Sequence, residues 1–311
     1  MTTRGGQRTA DAAHPPHHAH GADSSRSRLA IALALLAGFL VLEVVVGILA
    51  SSVALLADAG HMLVDVAAIA LSLAAISIAA RPAGGAMTFG FRRVEILSAQ
   101  ANGLTLLLLA VLILYEAIRR LVEPPDVAGT AVLVVALVGI AVNLAAVWVL
   151  RGADRSSLNV EGSFQHVLTD LYAFVATAVA GLVVVLTGLD RADAVAALVV
   201  AALMVRSGVR LVRASTRVFL EAAPENVDPD EIGAAMAGVP GVVEVHDLHV
   251  WEVTSGFPAL SAHVLVLPGA DCHDARRAIE RMLAERFDLS HTTLQVDHAR
   301  AGRLLGVERR G

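Results

Sequence analysis

Residues 53–80 read VALLADAGHMLVDVAAIALSLAAISIAA, 28 positions without an arginine or lysine, whose three ionisable side chains, Asp58, His61 and Asp65, all fall in the first half. About 20 apolar residues, rising about 1.5 Å each as a helix, cross the roughly 30 Å of hydrocarbon in a bilayer. The stretch therefore predicts a membrane-spanning helix that carries polar groups into the apolar layer. Five further stretches have the same length and character, at 29–50, 96–118, 127–150, 163–188 and 192–212. Ser51-Ser52, Arg81-Pro82 with Gly84-Gly85, Pro124-Pro125, Arg151-Gly152 and Gly188 punctuate them, as turn-forming residues do between spans.

Composition agrees with six spans. Of 311 residues 56% are apolar and 17% charged, and the mean hydropathy is +0.67, which excludes an ordinary soluble enzyme. The net charge of −5 divides unevenly, with −7 over residues 218–311 and +2 over residues 1–217, so nucleic acid is excluded as a partner. The single cysteine, Cys272, rules out an intramolecular disulfide and any Cys-rich zinc module. Metal chemistry must then use His and carboxylates. There is no lysine. Arg4, Arg8, Arg26, Arg28, Arg81, Arg92, Arg93, Arg151, Arg155, Arg206, Arg210, Arg213 and Arg217 fall on one side of the six spans and only Arg119, Arg120 and Arg191 on the other. The arginine bias predicts a cell-membrane protein with both termini in the cytoplasm.

The first span is too long for a cleaved signal sequence and is expected to be retained. Ahead of it, residues 1–28 hold His14, His17, His18 and His20 among small polar residues and are expected to be a disordered leader. Residues 29–217 form the six-helix transmembrane domain. Beyond them the period changes: a short helix near 228–238, alternating runs at 242–254 and 259–267, an amphipathic helix at 271–287 and a strand at 291–297. This α-β-β-α-β order predicts a small ferredoxin-like α+β domain in the cytoplasm over residues 218–298, with 299–311 as a tail.

Two of the 12 histidines lie inside apolar spans, His61 and His166, and each is followed four residues later by an aspartate, Asp65 and Asp170. Positions i and i+4 share a helix face. A charged aspartate near the bilayer centre costs about 2.5–3.5 kcal/mol on insertion scales, so these groups should face the bundle interior and meet a partner. A divalent cation is the partner that both pairs can share, and two His with two Asp suit tetrahedral Zn2+ better than Mg2+ or Ca2+. Asp58 lies on the same side of its helix as His61 and is a candidate for the outer shell of the site. Glu43, Gln100, Asn102, Glu116 and Asn143 also interrupt spans, and interhelical hydrogen bonding accounts for them. Two carboxylates and one dication are neutral, whereas the empty site favours proton uptake. Alternate opening to the two sides would turn that competition into metal/proton exchange. The shared H-x-L-x-D pattern in two spans of opposite direction fits an inverted repeat. Hydropathy puts His166 near the start of its span, so that helix must begin earlier, near Ser156, or a water-filled cavity must reach the site.

At LADAGHMLVD, MTFGFRRVEILSAQANG, FQHVLTD and HDLHVWEVTSG the chain resembles the cation diffusion facilitators, in particular the zinc-transporting subgroup, over about residues 29–298. The resemblance implies a homodimeric antiporter that exports zinc, with Cd2+, Co2+ or Ni2+ as further cargo, in exchange for protons, through His61, Asp65, His166 and Asp170. His61, where the family often has Asp, points to zinc preference. It also implies candidate metal ligands in the cytoplasmic domain, His246, His249, His263 and Asp297, with zinc as a regulatory ligand. Gln295 replaces a His found in some relatives. Arg93 and Glu221 match an ion pair at the membrane–cytoplasm junction.

Two other classes compete. A zinc hydrolase needs an open coordination position and an H-E-x-x-H string, and no such string occurs. A membrane metal sensor would read occupancy in the cytoplasmic domain without flux.

Overall fold

The computed structural model describes residues 19–49, 53–123, 129–189 and 191–299. Six long helices come first: α1 (Ala19–Leu49), α2 (Val53–Ala79), α3 (Arg93–Val122), α4 (Gly129–Leu150), α5 (Leu158–Thr187) and α6 (Arg191–Phe219). All six contain a stretch long and apolar enough to cross a membrane. α7 (Pro229–Ala237), β1 (Val242–Thr254), β2 (Phe257–Val266), α8 (Cys272–Phe287) and β3 (His291–His298) follow in the expected α-β-β-α-β order. The chain is a multi-pass helical membrane protein with a small α+β domain at its C-terminal end.

Several helices outrun the apolar stretches that announce them, because hydropathy registers only the lipid-crossing part of a helix. α5 starts at Leu158, five residues before its apolar run, with Ser157 as its N-cap: the Ser157 Oγ accepts the Val160 N–H. That extra turn carries His166 away from the helix end. α1 starts at Ala19, so the expectation of a disordered segment up to residue 28 is corrected for residues 19–28. Tertiary bonds hold this part. The Arg28 Nη1 donates to the Val149 carbonyl at 3.0 Å, and the Ser25 Oγ accepts the Asp154 N–H at 3.0 Å. Residues 1–18, with His14, His17 and His18, and residues 300–311 lie outside the described residues, as does the side chain of His20.

In the bundle α3 lies against α6, α4 against α5 and α1 against α2, and α2 also meets α5. Lipid is as apolar as leucine, so close approach and polar contacts, not hydrophobicity, bind such helices together. α3 and α6 approach through facing glycines. A Cβ on Gly103 would stand 3.1 Å from the Val212 nitrogen and one on Gly208 3.0 Å from the Gly103 carbonyl, so neither position admits a larger residue without the helices parting. Large apolar side chains such as Leu108, Trp148 and Leu186 point outward, toward lipid.

The C-terminal sheet has the order β1-β2-β3, antiparallel between β1 and β2 and parallel between β2 and β3, the latter joined through α8. Strand side chains alternate between faces. Leu260, Ala262, Val264 and Val266 of β2 therefore meet Ile232 and Met236 of α7 and Ile279 and Leu283 of α8 in one core. Ser261 and His263 take the open face. The turn between β1 and β2 docks on the membrane helices. The Ser255 Oγ accepts the Leu158 N–H at 3.0 Å, the Thr254 hydroxyl donates to the Arg92 carbonyl at 3.4 Å, and the Arg92 guanidinium lies 4.7 Å over the Phe257 ring. Glu252 closes this turn by accepting the Gly256 N–H at 2.8 Å, while burial pushes its carboxyl above its ordinary pKa. Arg93 and Glu221 pair at 3.2 Å at the same junction.

Leu283 is fully buried, and Leu→Ala at such a site leaves a cavity that costs about 2–5 kcal/mol. Leu283→Ala should lower the stability of the α+β domain by that amount. Denaturant unfolding of the full-length protein, read from Trp251 fluorescence in a Trp148→Phe background, measures it.

Candidate metal centre

α2 and α5 run antiparallel. Asp65 projects from the middle of α2, and His166 and Asp170 from successive turns of α5. The His166 Nε2 and the Asp65 Oδ1 lie 2.8 Å apart across the helix interface, and the same Nε2 lies 3.8 Å from the Asp170 Oδ2. The three side chains offer ligand atoms all within 4.8 Å of one another. Around a tetrahedral Zn2+ with bonds of about 2.0–2.2 Å, neighbouring ligand atoms stand about 3.4 Å apart. The two spacings from the His166 Nε2, 2.8 and 3.8 Å, bracket that value, so the three groups offer a dication a suitable set of ligand atoms. His166 is 1% exposed, and its Nδ1 has no hydrogen-bond partner among the described residues. Burial of this order is tolerable only because imidazole and carboxylates satisfy one another.

His61 stands one turn before Asp65 on α2, and Asp58 one turn further back, as the i, i+4 and i, i+3 spacings demand. The side chains of both lie outside the described residues. Of the four expected ligands the structure thus brings together Asp65, His166 and Asp170.

The other polar residues of the spans divide into two groups. Asn102 bonds between helices, its Nδ2 donating to the Ser72 Oγ at 2.9 Å. Among the described residues Asn143 and Glu116 do not, and here the expectation of interhelical bonding is corrected. The Asn143 Nδ2 donates to the Gly139 carbonyl of its own helix, and Glu116 accepts from Arg120 one turn away. Sequence reasoning overlooked Ser72, Asn159 and Ser163. They form a buried polar layer with Asn102 between α2, α3 and α5. Serine is common in apolar spans and gives little hydropathy signal, although Asn159 was a visible cue.

A second cluster lies on the open face of the sheet. His246 and His263 are register partners on β1 and β2, with ring centroids 5.4 Å apart. Between His246 and His249 the ladder shifts, and Asp247 takes φ +51° in the bulge, a conformation that Asp tolerates better than most residues. The bulge turns the Asp247 carboxylate to 3.9 Å from the His263 Nδ1. Asp247 is thus a ligand candidate that alternation could not reveal, because only an extra residue in the strand brings two neighbours to the same side. His249 and Asp297 do not join this group. They pair with Ser261 and Leu265, one same-face position to either side of His263, about 7 Å along the strand. The Asp297 Oδ2 instead accepts from the Gln295 Nε2 at 2.9 Å.

Comparison with known proteins agrees with this architecture. The cation efflux transmembrane domain matches residues 29–220, and the cytoplasmic domain of cation efflux proteins matches residues 224–299. A cadmium, cobalt and zinc/H(+)-K(+) antiporter of Bacillus subtilis is 36% identical over 285 residues, which cover 90% of this chain and 91% of that protein. The metal cation efflux system protein CzcD of Cupriavidus metallidurans is 39% identical, over 91% of this chain and 89% of that protein. The zinc transporter ZitB of Escherichia coli is 37% identical, over 89% and 88%. With a helical bundle and an α+β domain both matched in the same order, the chain belongs to the cation efflux family.

Proposed function

We propose that this protein exports Zn2+ from the cytoplasm in exchange for protons, through a four-ligand site of His61, Asp65, His166 and Asp170 between α2 and α5. The observation that carries the reading is the 2.8 Å contact of the His166 Nε2 with the Asp65 Oδ1. That hydrogen bond holds one proton, whichever of the two groups owns it. A dication bound between the same atoms must displace that proton, so loading the site with metal and releasing a proton are one event. Emptying it restores two carboxylates and an imidazole in a low-dielectric bundle, where hydrogen ions return. A proton gradient across the membrane then drives the cycle. The names of the relatives support zinc, with cadmium and cobalt as further cargo.

The matched cytoplasmic domain and the arginine bias support cytoplasmic termini in a cell membrane. The same domain match supports a homodimer. Transport rather than catalysis is the reading, since four ligands close the ion to a reacting water. His246, Asp247 and His263, three groups on an acidic domain, offer a place where cytoplasmic zinc regulates the transporter. His249 and Asp297 would join only after movement of their side chains. The expected division into 29–217 as the six-helix transmembrane domain, 218–298 as the cytoplasmic α+β domain and 299–311 as a tail fits the same reading, with the leader shortened by the start of α1 at Ala19.

Purified protein in vesicles with an acidic interior should accumulate Zn2+, and accumulation should stop when the pH gradient is collapsed. Binding without flux would instead favour a metal sensor. Asp65→Ala or Asp170→Ala should each weaken zinc binding at this site by more than the about 10–100-fold typical of an outer-shell partner, and should reduce flux to background while the bundle stays assembled. Normal flux in either variant would refute the site. His61→Asp should narrow the preference for zinc over cadmium, measured as the ratio of their initial rates, and an unchanged ratio would count against ligation by His61.

A further inference from the structure

The polar layer formed by Ser72, Asn102, Asn159 and Ser163 has no part in the ion site. On α2, Ser72 follows Asp65 by seven residues, about 10 Å along the helix. On α5, Ser163 and Asn159 precede His166 by three and seven residues, about 4–10 Å. Because the two helices are antiparallel, both displacements point the same way, toward the end of the bundle where Ser255 of the α+β domain caps α5. The layer therefore lies between the ion site and that domain.

Three bonds converge on Ser72. The Asn102 Nδ2 donates to its Oγ at 2.9 Å, the Ser163 hydroxyl lies 2.8 Å from the same oxygen, and the Asn159 Nδ2 donates to its carbonyl at 2.9 Å. Each bond joins two helices. Ser72 and Asn159 are fully buried, and Ser163 and Asn102 are 1% and 2% exposed. The side chains of Asp65 and Asp170, by contrast, keep 11% and 15% exposure. The layer on the side of the α+β domain is thus closed, its four residues as buried as His166 in the site itself.

We propose that this layer is the inner gate of the transport path, and that in its open state its oxygens receive the hydrated divalent cation on its way to the site. The proposal rests on the transport reading above. A gate must close against water and ions yet open within thermal reach. An interhelical hydrogen bond in a membrane changes an equilibrium only about threefold, the equivalent of about 0.6 kcal/mol. Three such bonds close the layer and part readily, and water rehydrates the groups that separate. Neutral hydroxyls and carboxamides also avoid trapping the ion, as carboxylates would. The Asn159 Oδ1, in the layer itself, and the Ser98 Oγ, one turn before Asn102 on α3, are buried without a hydrogen-bond partner among the described residues. They leave acceptor capacity for a cation or its water.

The test uses the full-length protein in proteoliposomes, with Cys272→Ser to remove the native thiol and Ser163→Cys as a probe in the layer. A small charged thiol reagent should modify the probe from the cytoplasmic face only, and adding Asn102→Ala, which deletes one bond, should speed modification about threefold. Ser72→Ala, which deletes two and spares the carbonyl, should shift the half-saturating cytoplasmic zinc for flux by about tenfold. Modification from the opposite face, or a rate indifferent to Asn102→Ala, would overturn the gate. Should Ser163→Cys fail to assemble, Asn102→Cys is the alternative probe, judged by the face from which it reacts. Labelling does not depend on flux, so an unmodified protein that carries no zinc would refute the transport reading and leave the gate to be judged by its own measurement.

Discussion

Ionisable side chains survive inside a hydrocarbon layer only where another group of the protein meets them, and in this chain the meeting of Asp65 with His166 sets the requirement that the bundle satisfies. The contact is 2.8 Å long and spans two helices. It demands that α2 and α5 cross antiparallel at a fixed height, and their neighbours follow from that. α3 completes the polar layer beside the pair through Asn102. α3 in turn is pressed against α6 at Gly103 and Gly208, where the neighbouring backbone leaves no room for a Cβ. α5 must begin early enough to carry His166 into the bundle, which the Ser157 cap and the borrowed Ser255 hydroxyl allow.

The polar groups along the α2–α5 interface are graded. Nearest the α+β domain are neutral hydroxyls and carboxamides, and further in are an imidazole and two carboxylates. Neutral groups hydrogen-bond weakly in a membrane and exchange partners with water at small cost, whereas charged groups bind tightly and must be compensated. In the transport path proposed above, the first kind stands on the approach and the second at its end. The chain supplies them in that order on both helices, since α2 runs from site to layer and α5 from layer to site.

The α+β domain shows how little of a site a strand pattern can display. Alternation holds along β2, with Leu260, Ala262, Val264 and Val266 on one face and His263 on the other. It could not foresee the bulge after His246. One additional residue there brings Asp247 beside His263 and keeps His249 on the same face but a pair further along. Asp297 was legible as a possible neighbour of His263, yet the parallel register sets Gln295 beside that histidine and leaves Asp297 to Gln295. A bulge arises from backbone geometry between strands, and it moves residues off the positions that simple alternation assigns.

By itself the sequence determined the six spans, the order of the C-terminal elements and the two His/Asp pairs, because lipid crossing, strand alternation and the i, i+4 face are all properties of a single segment. Only the tertiary structure decided that Asp65 and the α5 pair share one locus, that Asn102 reaches another helix while Asn143 and Glu116 bond within their own, and that Ser72 joins three helices. Those outcomes depend on distances between segments that are remote in the chain, and helix packing rather than composition sets them.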